Sequence, residues 1–151
     1  MILKKPTAES TMREIGFYFE KYAEKRLKKD GFKPIEHSYL SYPYEIDLIM
    51  LDDMTIVFTE VKERLDTEHF SPELYADKNK MNNLFQAAAG YISDIKAKGV
   101  DIAALSYRFD LVSIVRDVDF NVKKFDHYKN FFQTSKNDLL KYAGAEDGEK
   151  D

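Results

Sequence analysis

Three charged residues interrupt two apolar stretches that have the pattern of a β-hairpin. The first stretch, residues 45–51, contains Asp47, and the second, residues 55–62, contains Glu60 and Lys62. A charge on a strand rich in Ile, Val, Leu and Phe is costly to desolvate unless it binds a partner or an ion. Two carboxylates with an ammonium group nearby are the residue types of a magnesium site that hydrolyses phosphodiesters.

The position of the turn decides how the two carboxylates meet. A turn at residues 53–54 places Asp47 directly opposite Glu60, whereas a turn at residues 52–53 makes them diagonal neighbours. In either register the two-residue period of a strand keeps both carboxylates on one face. The same period turns Lys62 to the side of Glu60. We therefore expect the three side chains to converge.

Magnesium takes one or two carboxylates and fills its remaining positions with water and substrate phosphate. Such an ion polarises the scissile phosphate and lowers the pKa of a bound water. Lys62 would orient the attacking hydroxide or offset the charge that develops on the phosphorane. The alternative interpretation is an ion pair on an edge strand between Glu60 and Lys62 or Arg64, because this spacing also occurs by chance. The residues alone leave both open.

Composition predicts one domain with a sizeable core, because the chain has 151 residues, of which 44% are hydrophobic. The absence of Cys excludes disulfides and thiolate metal sites. A net charge of −4 argues against a strong nonspecific nucleic-acid binder, although basic residues gather over positions 21–33. No apolar run has the length of a membrane span or a secretory signal. We expect a cytoplasmic protein with no membrane partner.

Hydrophobic periodicity and turn signals predict the order helix, three strands, helix, two strands (αβββαββ). The predicted helices are 8–30 and 76–98, and the strands lie within 32–42, 45–51, 55–62, 106–116 and 120–125. We also predict a polar loop at 63–77 and a single helical turn within 127–132. This order is typical of an α/β fold with a mixed sheet flanked by helices. Residues 1–133 form the predicted domain, and 134–151 a C-terminal extension whose acidic end is disordered.

Several motifs occur in a fixed order along residues 12–133. The opening helix carries Gly16, Glu20, Ala23, Leu27 and Gly31, followed by Glu45-Ile46-Asp47-Leu48-Ile49 and Val57-Phe58-Thr59-Glu60-Val61-Lys62-x-Arg64. Later come Lys80, Ala88 to Tyr91, Arg108-Phe109-Asp110 and His127-x-x-Asn130-x-Phe132. In this order the chain resembles the YraN-like family of the PD-(D/E)XK, or restriction-endonuclease-like, nuclease superfamily. That family is similar to archaeal-type Holliday junction resolvases.

The resemblance implies a restriction-endonuclease-like core and DNA cleavage that depends on Mg²⁺ or Mn²⁺. Asp47, Glu60 and the backbone carbonyl of Val61 would bind the metal, and Lys62 would be the catalytic lysine. Glu20, on the opening helix, would complete the metal shell directly or through water, with a solvated helix face as the alternative. The implied substrate is DNA, branched or otherwise structured. A homodimer is a hypothesis by analogy, because resolvase substrates have two equivalent strands.

The chain departs from the family pattern where substrate contacts are expected. Tyr44 replaces the usual Gly, and the segment after Lys62 is acidic, which would repel a phosphate backbone. The residues that we consider for nucleic-acid contact are Arg64, Lys78, Lys80 and Gln86. Gln86 is one residue further from Tyr91 than in the related Gln/Tyr motif, which favours a core role for the tyrosine. Two alternative functions follow: a nucleic-acid-binding module with little or no cleavage, and a protein-interaction domain.

Overall fold

The computed structural model describes residues 3–68 and 78–143, which form an α/β fold around a five-stranded mixed sheet. In chain order the elements are α1 (Met12–Lys29), β1 (Lys33–Ser41), β2 (Tyr44–Asp52), β3 (Thr55–Leu65), α2 (Lys78–Ala97), a 3₁₀ turn (Ile102–Ala104), β4 (Ser106–Arg116), β5 (Val122–Phe132) and α3 (Lys136–Tyr142). The strands lie in chain order across the sheet; β3 and β4 are parallel and the other neighbours antiparallel. The predicted class, the mixed sheet and the order of the first seven α-helices and strands are confirmed.

Helix α1 begins four residues later than predicted because Thr11 caps it. The Thr11 hydroxyl accepts the Glu14 N–H over 3.1 Å, and the Glu14 carboxylate accepts the Thr11 N–H over 2.8 Å. This reciprocal pair satisfies two of the backbone donors that a helix start leaves open. The helix ends before Gly31, whose φ of +99° is in the region that glycine adopts at low cost.

The two long helices cover opposite faces of the sheet. On the α1 side the buried residues are Phe19, Ala23, Leu27, Phe32, Leu48, Met50, Val57, Val112 and Ile114. On the α2 side they include Ile46, Ile49, Ile56, Phe58, Leu84, Phe85, Ala88, Ile92, Phe109 and Leu111. Strands covered on both faces are apolar on both faces, which explains the near-continuous hydrophobic runs in β2 and β3. Neither long helix, nor α3, has the length and apolar character needed to cross a membrane.

Two predicted connections are strand instead. Strand β3 pairs with β4 as far as Leu65, so residues 63–65 of the predicted polar loop belong to the sheet. The rest of that loop is a turn up to residue 68, and residues 69–77 lie outside the described part. Strand β5 is continuous over Val122–Phe132, so the predicted helical turn at 127–132 is wrong. Pairing with β4 extends through this segment and is interrupted by a bulge at Asn130, where φ is +56°.

Helix α3 lies within the segment predicted as an extension. The Ser135 hydroxyl caps it by accepting the Asp138 N–H over 3.1 Å. Leu139 is 1% exposed and belongs to the core on the α2 side, as does Ala143. Helix α3 and the residue after it therefore pack against the core of the domain through Leu139, Leu140 and Ala143. The acidic end, 146–151, lies outside the described residues.

Candidate active site

Strands β2 and β3 separate at Asp47. Their ladder starts at Asp52 and Thr55, so the turn lies at residues 53–54, one of the two expected positions. The ladder ends at the pair of Leu48 and Thr59, so the next pair in that register would be Asp47 and Glu60. Instead, Asp47 Oδ2 accepts a hydrogen bond from the Val61 N–H over 2.8 Å. The Asp47 carboxylate thus takes the place of a ladder carbonyl.

The alternation of β2 is broken at the same residue. Ile46 lies in the core on the α2 side, whereas Leu48 lies in the core on the α1 side. Residues two apart in a regular strand share a face, so the predicted unbroken period through Asp47 is wrong. The β1 residue opposite Asp47 is Ser38, whose φ is +53°. The edge strand is therefore distorted at the same level as β2. The break leaves Asp47 accessible to side chains from both layers.

Glu20 reaches Asp47 from α1. The carboxyl groups of Glu20 and Asp47 lie within electrostatic range of each other, and the Ser38 hydroxyl donates to Glu20 Oε1 over 3.3 Å. The pKa of Glu20 is raised, first by burial and further by repulsion from Glu45 and Glu60, against the lowering effect of its hydrogen bonds. Its side chain is 19% exposed, which excludes the fully solvated helix face considered from the sequence.

The environment of Asp47 disfavours its charged form even more strongly. Burial raises the pKa of Asp47 well above its ordinary value, and the negative charges of Glu60 and Glu20 raise it further. The hydrogen bond from the Val61 N–H acts in the opposite direction but is outweighed. The three carboxyl groups therefore repel one another, and a cation among them would relieve that repulsion.

Glu60 faces a cleft on the α2 side. It is 9% exposed, and its Oε2 forms an ion pair with Lys80 Nζ at 2.7 Å. The cleft has a volume of about 220 Å³ and is lined by Pro43, Tyr44, Glu45, Glu60, Lys80, Asn83 and Leu84. Lys80, considered from the sequence as a phosphate contact, thus lies beside a proposed metal-binding carboxylate. The edge-strand alternative for Glu60 does not fit, because β3 is the central strand.

Lys62 and Arg64 follow Glu60 along β3. The ladder between β3 and β4 has no register shift from Thr55 to Leu65. Residues 60, 62 and 64 therefore alternate regularly onto the face covered by α2. Both Lys62 and Arg64 are half-buried. Lys62 is thus one step beyond Glu60 on the same face, as the sequence predicts.

The other candidates for nucleic-acid contact are dispersed. Lys78 is the first residue of α2, two positions before Lys80. Gln86 is exposed and lines a separate depression with Gly90, Ser93 and Ala143. The structure therefore brings Lys80 to the site and leaves Gln86 beside α3.

A second polar network, for which the sequence patterns predict no chemistry, surrounds Asp110. Asp110 is completely buried, and its carboxylate accepts hydrogen bonds from Nε and Nη2 of Arg108, at 2.9 and 3.1 Å. His127 Nε2 is 2.7 Å from its Oδ2, and the Asn130 N–H donates to its Oδ1 over 2.8 Å. This network joins β4 to β5 at the bulge. An arginine and an aspartate inside an apolar strand were the signal that could have revealed it.

Comparison with known proteins gives the family. Residues 19–114 match the profile of UPF0102, described as an uncharacterised protein family. A UPF0102 protein of Syntrophomonas wolfei is 35% identical over 120 residues, which cover 80% of this chain and 98% of the relative. One from Thermodesulfovibrio yellowstonii is 34% identical over 119 residues, covering 79% and 96%. One from Chloroherpeton thalassium is 37% identical over 98 residues, covering 65% and 72%. The chain therefore belongs to the UPF0102 family, which corresponds to the YraN-like family that it resembles in sequence.

Proposed function

We propose that this UPF0102 protein is a divalent-metal-dependent DNA endonuclease of the PD-(D/E)XK superfamily. One observation carries the proposal: Asp47 is fixed where β2 leaves β3, with Glu20 on one side and Glu60 on the other. A buried carboxylate is costly to keep charged without a compensating cation. A bound divalent cation would offset this cost for Asp47 and for the two further carboxylates within electrostatic range.

The donor set fits Mg²⁺ or Mn²⁺, which prefer oxygen ligands. Asp47, Glu60 and the Val61 carbonyl would hold the ion, and Glu20 would complete its shell. Among residues 3–68 and 78–143, no group of three or more His, Asp or Glu side chains is placed so that it could hold a metal ion. The proposed site therefore needs water and substrate phosphate among its ligands, which Mg²⁺ usually takes. When bound, the ion polarises the phosphate and acidifies water.

The protein groups around the donors have separate tasks. The Val61 N–H fixes the orientation of Asp47, and Lys80 holds the Glu60 carboxylate at the cleft. Lys62, on the same face as Glu60, would orient the attacking water or offset charge on the phosphorane. Phosphodiester hydrolysis is very slow without catalysis, so these groups and the ion must together supply more than ~10 kcal/mol.

By its resemblance to resolvases, the proposed substrate is branched or otherwise structured DNA, cut by a homodimer. The test is incubation of linear, single-stranded and four-way-junction DNA with Mn²⁺, using wild type and the variants Asp47→Asn and Lys62→Ala. Both variants should lose at least ~100-fold in rate. Lys96→Ala, an exposed lysine near the end of α2, is the matched control and should cleave like wild type. Undiminished cleavage by both site variants would refute the proposed site.

The ion pair between Glu60 and Lys80 favours a second candidate function, a nucleic-acid-binding module without cleavage. In that case Lys80 replaces the metal as the partner of Glu60. Such a module would bind DNA with salt-dependent affinity and leave it intact in Mg²⁺ and Mn²⁺. Absence of DNA binding at low salt would instead favour a protein-interaction domain.

A further inference from the structure

The outward face of α1 concentrates positive charge in a protein whose net charge is −4. Two adjoining depressions, of about 650 and 500 Å³, share Leu3 and Phe17 in their linings. The charged residues lining them are six basic, Lys4, Lys5, Arg13, Lys21, Lys25 and Lys28, and two acidic, Glu14 and Glu24. We name these adjoining depressions the α1 channel. A basic channel in an acidic protein indicates a polyanionic ligand.

The two acidic residues of the α1 channel are both engaged within the protein, Glu24 by a lysine of the channel itself. The Glu14 carboxylate accepts the Thr11 N–H at the helix start. Glu24 forms an ion pair with Lys21 at 3.1 Å. Three lysines, Lys21, Lys25 and Lys28, are spaced four and three residues apart and therefore lie along one face of the helix. The Cβ atoms of successive lysines are about 5–6 Å apart. Such a row can follow consecutive phosphates of a nucleic-acid backbone.

Phe17 gives the α1 channel an aromatic surface. It is 48% exposed, and Lys21 Nζ lies 5.8 Å from its ring centroid. An exposed aromatic ring beside a basic groove is the arrangement on which single-stranded nucleic acids stack their bases. A row of three lysines alone would suit any polyanion, whereas the exposed ring favours a nucleic acid with unpaired bases.

The α1 channel is connected to the candidate active site through Phe17. The Phe17 ring lies edge-on to His37, with 5.1 Å between centroids. His37 Nε2 is 3.6 Å from Glu20 Oε1, and Glu20 contacts Asp47. Phe17 and His37 therefore lie between the α1 channel and the carboxyl group of Glu20.

We propose that the α1 channel binds a single-stranded arm of the DNA substrate, with Lys21, Lys25 and Lys28 on its phosphates and Phe17 against a base. The proposal rests on the proposed function for the identity of the substrate. Its physical basis, a basic row with an exposed ring, is independent of cleavage. The proposed binding surface lies on α1, the helix that carries Glu20, on the side that faces away from the sheet.

The experiment measures binding of fluorescein-labelled oligo-dT by anisotropy in EDTA over a range of NaCl concentrations. The test variant is Lys21→Gln/Lys25→Gln/Lys28→Gln, and the control is Lys96→Gln/Lys98→Gln/Lys141→Gln. Both lose three positive charges, but the control residues are exposed on α2, just beyond it and on α3. Gln and Lys have similar helix propensities, so both variants should fold, which circular dichroism checks.

The α1 variant should bind the oligonucleotide about tenfold more weakly or worse. The slope of log K against log salt should be less negative than that of wild type by about 2. Phe17→Leu should weaken binding by about tenfold while keeping the salt slope, because it removes stacking and no charge. The control variant should match wild type. Equal affinity and slope in the α1 and control variants, no binding by wild type, or equal competition by a duplex of the same sequence would each overturn the proposal.

The experiments distinguish a failure of the α1 channel proposal from a failure of the endonuclease proposal. If wild type cleaves no DNA in Mn²⁺ but oligo-dT binding still depends on the three α1 lysines, the channel stands and the endonuclease proposal falls. If cleavage requires Asp47 and Lys62 while the α1 variant binds and cleaves like wild type, the endonuclease stands and the channel falls.

Discussion

The backbone N–H of Val61 donates to Asp47 Oδ2 over 2.8 Å, which holds this carboxylate in the gap where β2 and β3 stop pairing. This hydrogen bond stabilises the charged form of Asp47, but burial and the neighbouring carboxylates outweigh it. The fold therefore pays a stability penalty to keep a charge at this position. Asp47 and its two acidic neighbours are where function and stability should conflict most.

Asp47→Asn should stabilise the protein while it removes the proposed activity. Asparagine keeps an oxygen that can accept the Val61 N–H and carries no charge to repel Glu20 and Glu60. We expect the free energy of unfolding at pH 7 to rise by about 1–2 kcal/mol, measured by urea denaturation without divalent metal. A loss of stability would show that the charge of Asp47 is compensated within the protein.

The stability that Asp47→Asn gains over wild type should depend on pH. The pKa of Asp47 is raised in the folded state above its ordinary value of 3.8. A group of this kind contributes stability that is fully present below the ordinary pKa and is lost as the pH rises through the raised value. The stability difference between Asp47→Asn and wild type should therefore be smallest near pH 4 and grow as the pH rises. A difference that is constant over this range would contradict the assigned cause.

Lys80 should compete with a divalent metal for Glu60, because its ammonium is 2.7 Å from Glu60 Oε2. Mn²⁺ at 100 times its Kd should stabilise wild type by about 2.7 kcal/mol, seen as a rise in Tm. Lys80→Gln should bind Mn²⁺ about 2–5-fold more tightly, the factor that corresponds to ~0.5–1 kcal/mol for a partly exposed ion pair. Asp47→Asn should show little or no Mn²⁺-dependent shift.

The same variant separates two roles for Lys80. If Lys80 binds DNA phosphate, Lys80→Gln should weaken DNA affinity in EDTA and leave the Mn²⁺ affinity unchanged. A tighter Mn²⁺ affinity with unchanged DNA affinity would identify it as the counter-ion of Glu60. Titration calorimetry with Mn²⁺ and anisotropy with labelled DNA measure the two quantities independently.

Asp110→Ala should be strongly destabilising, in contrast to the change at Asp47. It removes a buried carboxylate that holds Arg108, His127 and the backbone of Asn130 at the β5 bulge. Removing one partner of a buried ion pair costs about 3–5 kcal/mol. Arg108 keeps a second ion pair, with Asp52 at 3.4 Å, so the loss should lie near the lower end of that range. Urea denaturation measures the loss. A cost under about 1 kcal/mol would show that the network is not what joins β4 to β5.

The pH dependence of Asp110 should have the opposite sign to that of Asp47. Burial acts to raise the pKa of Asp110, but hydrogen bonds from His127, Arg108 and the Asn130 N–H outweigh it, so the pKa is lowered from 3.8. A lowered pKa contributes stability that is present above the ordinary value and lost as the pH falls through the folded value. The stability deficit of Asp110→Ala should therefore shrink below about pH 4.

Local signals in the sequence predicted the parts of the fold that depend on neighbours in the chain. The end of α1 follows from Gly31, and the hairpin follows from a turn at one of the two expected positions, residues 53–54. The start of α1 was predicted four residues too early, because the cap formed by Thr11 and Glu14 was not recognised. The prediction for β5 is wrong from residue 127 onwards, because the extended form of this segment depends on pairing with β4. No local feature of this aromatic segment distinguishes a helical turn from a strand.

The candidate site could be located from the sequence but not built from it. Alternation arguments assume an unbroken ladder, whereas the ladder ends at Leu48 and Asp47 fills the gap. Nothing in the residue types around Ser38 indicated its positive φ. The ion pair of Glu60 with Lys80 depends on how α2 lies over β3, which is a long-range property. The residue types indicated the chemistry, while the path of the backbone determines which side chains meet.

Two glycines in the long helices should respond in opposite ways to replacement by alanine. At Gly90, where α2 passes close to β1, an added Cβ would lie 2.0 Å from Ser41 Oγ and 3.1 Å from Ser41 Cβ. Rotation of the hydroxyl would relieve the first contact and not the second, so Gly90→Ala should cost about 1–3 kcal/mol. At Gly16, in α1, an added Cβ meets nothing within 4 Å, so Gly16→Ala should gain about 0.5–1 kcal/mol from helix propensity.

Urea denaturation of the two alanine variants and of the double variant Gly90→Ala/Ser41→Gly measures these effects. The double variant removes both close atoms of Ser41, so it should recover most of the stability that Gly90→Ala loses. Because both substitutions introduce the same methyl group into a helix, their difference isolates the contact with β1. Equal stability of Gly16→Ala and Gly90→Ala would mean that α2 can move away from β1 at no cost. In that case Lys80, on the same helix, would not be held rigidly at Glu60.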